Sequence, residues 1–60
     1  MIQQYIEAFT RCYPEKNVEV RPTFNKQGTQ IGWRVGINGD FGNLVLSDAD
    51  IREATRAFMR

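Results

Sequence analysis

A chain of 60 residues with one cysteine and no histidine can close no internal disulfide and cannot assemble an ordinary zinc site. At 42% apolar and 25% charged residues it has the composition of a folded globular chain. A net charge of +1 excludes the plainly basic balance by which many nucleic-acid-binding domains are recognised.

Residues 1–60 are expected to form one domain. A chain this short buries only about 60% of the surface that its unfolded form exposes. Support from a second copy or a docked partner is therefore expected from size alone. No apolar run approaches the roughly 20 residues of a membrane helix. The Met1-Ile2-Gln3-Gln4 start lacks the basic region of a signal peptide. A lone cysteine fits a reducing compartment, so the expected location is cytoplasmic, with no membrane attachment.

In chain order, Ile2, Tyr5, Ile6, Phe9, Cys12 and Tyr13 recur at helical spacing and predict a first helix, which Pro14 ends. Val18 to Asn25 predicts a strand, and Pro22, which lacks a ladder donor, places it at a sheet edge. Gln27-Gly28 marks a turn. Ile31, Trp33, Val35 and Ile37 then alternate with Gly32, Arg34 and Gly36 in the clearest strand pattern of the chain. Asn38-Gly39 predicts a tight type I′ hairpin turn, and Phe41 to Leu46 a third strand. Ser47 and Asp50 resemble a capping box, and Ile51, Ala54, Ala57 and Phe58 form the apolar stripe of a last helix. The expected fold is α+β in the order α-β-β-β-α, a three-stranded antiparallel meander with both helices packed on one face.

Two-residue turns at both hairpins would fix the register. Ile37 then faces Asp40, Trp33 faces Leu44, and Ile31 faces both Leu46 and Phe24. The apolar residues of the central strand fall on the helix-covered face. On the opposite, open face Gly36 meets Phe41 and Glu19, Arg34 meets Asn43 and Arg21, and Gly32 meets Val45 and Thr23. Two arginines directly opposite each other destabilise a sheet unless something separates or neutralises them. A packing account of this face is that Phe41 lies across Gly36 and Glu19 pairs diagonally with Arg34. A binding account is that Arg21, Arg34, Phe41, Asn43 and Val45 form a flat platform. Its arginines would offer planar forks to carboxylates or phosphates. The uncharged Leu44-Val45-Leu46 edge would invite pairing with a second copy.

No catalytic, cofactor-binding or metal-binding residues are assigned. Asp40-Phe41-Gly42 matches the kinase magnesium triplet, but the loops and strand lysine that give it meaning are missing. Cys12 lacks a histidine to activate it and lies on the apolar stripe, so a buried structural thiol is expected. Ser47 reads as a cap, and Asp48 and Asp50 as helix-dipole partners.

The element order resembles the double-stranded-RNA-binding domain over almost the whole chain. In that family a Ser-Lys-Lys run at the start of the last helix grips phosphates. Here Ser47-Asp48-Ala49 stands there, followed by Asp50, so the likeness implies an architecture and leaves RNA binding aside. The expectation is a non-catalytic protein-binding module of the accessory or inhibitor type, with another protein or a second copy as partner. The alternative is a nucleic-acid-binding regulator using Arg21, Arg34 and Lys26, or the four-residue stripe of Arg52, Arg56 and Arg60.

Overall fold

The computed structural model describes residues 1–60. The chain forms α1 (Ile2–Cys12), β1 (Val18–Phe24), β2 (Gln30–Ile37) and α2 (Asp48–Phe58). The α+β composition agrees with expectation, but the three-stranded meander does not form. The sheet has two antiparallel strands. Residues 41–46 return along β2 as an irregular segment, held at its ends by isolated bridges between Ile37 and Asp40 and between Trp33 and Leu46.

The β1–β2 register is the expected one from Val18↔Ile37 to Thr23↔Gly32. The N–H of Asn38 donates to the carbonyl of Asn17 (2.7 Å). By antiparallel alternation this places Pro22↔Trp33 at a pair that exchanges no hydrogen bonds, so the missing donor of Pro22 breaks no ladder bond.

The turn, however, is longer than two residues. Asn25 bonds Thr29 across it, and Asn25 Oδ1 accepts the N–H groups of Gln27 (2.9 Å) and Thr29 (3.0 Å). Gly28, at φ +82, supplies the left-handed residue that a three-residue hairpin needs. The ladder then slips by one residue, Phe24 meets Gln30, and Ile31 is left unpaired. Phe24 and Ile31, expected under the helices, are both more than half exposed.

The third strand fails for a local reason. Asn38 (φ 55) and Gly39 (φ 88) make the expected tight turn, and Ile37 and Asp40 exchange both backbone bonds. Immediately afterwards Asp40 Oδ1 accepts the N–H of Gly42 (3.3 Å), and Gly42 adopts φ +59. This side-chain-to-backbone bond competes with the ladder. Five residues, 41–45, then run beside the three residues 34–36 of β2. Trp33 therefore pairs with Leu46 and not with Leu44, and Leu44 points outward, 69% exposed.

The helices pack chiefly on each other. Tyr5, Ala8 and Phe9 of α1 and Ile51 and Thr55 of α2 are buried, Ile51 completely. The Thr55 hydroxyl, absent from the expected stripe, bonds the Ile51 carbonyl (2.8 Å) and so enters the interior satisfied. Phe58 joins the two helices through edge-on contacts with Tyr5 (5.8 Å between centroids), Phe9 (5.5 Å) and Tyr13 (6.2 Å). Cys12 is exposed, not buried as expected, and its thiol donates to the Phe58 carbonyl (3.1 Å).

Of the two helices, α1 makes the broader contact with the sheet, against β1. The N-terminus of α2 is tied to the sheet by one bond, from Trp33 Nε1–H to Asp48 Oδ1 (2.7 Å). Ser47 and Asp50 complete a reciprocal capping box: Ser47 Oγ accepts the Asp50 N–H (3.1 Å) and Asp50 Oδ2 accepts the Ser47 N–H (3.0 Å). No helix is long and apolar enough to cross a membrane.

Replacing Phe58 with Ala removes the ring shared by three aromatic partners and should cost about 3 kcal/mol. Total stability at this length is of order 3–9 kcal/mol. The variant should therefore melt broadly and at much lower temperature, read by circular dichroism. A pH effect follows from the cap. The bonds from the Ser47 backbone and side chain hold the Asp50 carboxyl below its ordinary value of 3.8. Its contribution is present above that value and is lost as pH falls through the lower, folded-state one. The urea midpoint of the natural chain should thus drop more steeply than that of Asp50→Asn as the pH is taken below 3.8.

Candidate functional site

The alternation that turns Trp33 and Val35 toward the helices turns Glu19, Arg21, Arg34 and Gly36 to the other face of the hairpin. Arg21 and Arg34 are cross-strand partners, and each guanidinium has partners of its own. The Arg21 guanidinium lies 4.5 Å from the centroid of the Phe41 ring and donates to Glu19 Oε2 (3.0 Å). Arg34 donates to the carbonyl of Gly42, the residue after Phe41, while its Nε is buried without a partner. Glu19 thus neutralises its neighbour on the same strand, and the expected diagonal pair with Arg34 is absent.

Two glycines let the return segment close over this face. A Cβ on Gly36 would stand 2.6 Å from two Phe41 ring carbons, and one on Gly32 would stand 2.7 Å from Val45 Cγ1 and 2.6 Å from the Leu46 carbonyl oxygen. The pairs expected from register, Phe41 with Gly36 and Val45 with Gly32, therefore meet although no third strand forms. Arg21, Arg34 and Phe41 are gathered together, and Val45 sits farther along, 40% exposed. Asn43 is exposed and makes no hydrogen bond; Gly42 takes its expected place beside Arg34. Lys26 lies in the β1–β2 turn, outside this group.

A second basic cluster lies between the helices. Arg11 of α1 and Arg52 and Arg56 of α2 line a groove of about 430 Å³ with Glu7, over a floor that includes Ala8 and Thr55. Arg60 falls beyond the end of α2, so the expected helical stripe stops at Arg56. The four-residue spacing of Arg52 and Arg56 was visible in the sequence. That Arg11 joins them was not, because it follows from how the helices cross.

The remaining reactive groups are occupied structurally. Asp48 holds Trp33, Ser47 and Asp50 cap each other, and Asp40 turns the chain at Gly42. No three cysteine, aspartate or glutamate side chains are gathered where they could hold a metal ion. No protein-family model, curated protein or solved structure matches this chain.

Because the Phe41 ring occupies the space of a Gly36 side chain, Gly36→Ala must displace it. We expect a loss of about 1–3 kcal/mol together with the Arg21–Phe41 stack. The second effect is read in proton NMR as loss of the upfield ring-current shift on the Arg21 δ-methylene group.

Proposed function

We propose that this protein is a non-catalytic protein-binding module whose contact surface is the hairpin face that carries Arg21 and Arg34, together with the Phe41–Val45 segment folded against it. The observation that carries the reading is the Arg21–Phe41 stack. An aromatic ring under a guanidinium holds the planar donor fork in place, and less side-chain freedom is then lost on binding. The Arg21 side chain remains 65% exposed and can still meet a carboxylate on another protein. Phe41 and Val45 supply apolar area beside it, and exposed Asn43 adds an amide with free donors and acceptor. A reducing compartment such as the cytoplasm suits the exposed thiol of Cys12.

The test uses affinity capture with the whole chain and with two variants, Arg21→Glu and Phe41→Ala. A partner held by the natural chain should bind at least about tenfold more weakly to each variant, as expected for a central arginine or aromatic anchor. Its affinity should fall only modestly with salt, as expected for one exposed arginine–carboxylate contact, whereas phosphate binding falls steeply. Light scattering over a dilution series separates a second copy from another protein as that partner. Unchanged affinity in both variants overturns the assignment of this face.

A further inference from the structure

The groove between α1 and α2 carries the positive surplus of the chain. Arg11, Arg52 and Arg56 face it against one carboxylate, Glu7. That local excess of two exceeds the net charge of the entire protein, +1. None of these arginines is in an ion pair; the only salt bridge joins Arg21 and Glu19. Arg52 makes a single long approach, to Met1 Sδ at 4.0 Å. The groove is also apolar at its rim and floor. Met59 is 66% and Met1 40% exposed, and both line it, with Ala8 beneath. Methionine is the side chain best able to reshape itself around an incoming apolar group.

We propose that this groove docks an acidic amphipathic helical segment of a partner protein. Carboxylates of that segment would meet Arg11, Arg52 and Arg56, and aliphatic side chains would lie against Met1 at one end of the groove and Met59 at the other. Each wall is an 11-residue helix, about 16 Å long, which suits about three turns of a third helix laid alongside. The apolar part of the lining, Met1, Ala8 and Met59, favours this occupant over a nucleic acid, because an amphipathic helix can cover it with aliphatic side chains while its carboxylates meet the arginines. The groove shares no residue with the hairpin face, so the two assignments stand or fall separately.

The probe is a labelled synthetic helix of about 14 residues, roughly 21 Å long, with glutamates on one face and leucines on the other. Controls are its glutamine-for-glutamate counterpart and a single-stranded and a duplex oligonucleotide, all followed by fluorescence anisotropy. The protein variants are Arg52→Gln/Arg56→Gln and, as a mild second choice, Arg11→Gln, each checked by circular dichroism. These side chains are exposed and hold no ion pair, so the fold should survive.

The acidic helix should bind the natural chain, and both the glutamine peptide and the double variant should weaken binding at least about tenfold. Amide shifts in NMR should then move at Ala8 and Thr55. Failure of the acidic helix to bind, equal binding of both peptides, or binding indifferent to the arginines overturns the proposal. Loss on Arg21→Glu alone would move the contact to the hairpin face. Tighter, arginine-dependent binding of an oligonucleotide would overturn it in favour of nucleic acid.

Discussion

The contact of Phe58 with the aromatic side of α1 is the interaction on which the molecule rests. A two-stranded antiparallel ribbon is at best marginal in water by itself, and here one of its faces is not covered by a helix. Most side-chain burial therefore has to come from the helix pair. Ile51 is the only side chain removed entirely from solvent, and Tyr5, Ala8 and Phe9 of α1 are the other buried apolar side chains. Phe58 closes this group at the far end of α2, where three rings meet it edge-on or nearly so. Such geometry sets the positive edge of one ring against the negative face of another and adds to the burial itself. With α2 in place, Trp33 can reach Asp48, and the hairpin gains its connection to the second helix.

Local chemistry was legible in the sequence wherever one or two residues decide the outcome. Asn38-Gly39 fixed its turn, Ser47 and Asp50 their cap, and the alternation from Ile31 to Ile37 its strand. The register between β1 and β2 agrees from Val18 to Thr23, because the one-residue slip at Phe24 offsets the longer turn, and with it come the meeting of Arg21 with Arg34 and of Phe41 with Gly36. What could not be read was competition between local and longer-range bonds. Phe41 to Leu46 has the residues of a strand, but the Asp40 carboxylate takes the Gly42 N–H and two extra residues loop out. Asn25 likewise organises a longer turn than Gln27-Gly28 suggests, which slips the ladder by one residue and exposes Ile31. A polar side chain two or three residues before a glycine won in both places, because the bond it offers closes at once and a ladder bond must wait for a distant partner.

The helix layer shows a second kind of limit. Apolar periodicity located both helices but not the angle at which they cross. Thr55 lies on the buried line and Ala57 outside it, which shows how crossing selects among neighbouring positions. Cys12 had the spacing of a core residue and lies at the rim, bonded to the end of α2. The same crossing brings Arg11 to Arg52 and Arg56, across more than 40 residues of sequence, so no local pattern could announce the basic groove.

Net charge near zero conceals how the charges are distributed. On the hairpin face two arginines opposed in register are separated by different partners: a ring and a carboxylate for Arg21, a backbone carbonyl for Arg34. That arrangement gives each arginine its own partner while leaving the Arg21 guanidinium largely in water. Between the helices the opposite holds, for three arginines share a groove with one glutamate and no ion pair. The residues that stabilise the fold, Tyr5, Phe9, Ile51 and Phe58, belong to neither charged surface. Exposed arginines contribute little to stability in such positions, so their placement constrains the fold weakly. The two surfaces can consequently be altered one at a time without touching the aromatic cluster, and loss of binding at either can be told apart from loss of structure.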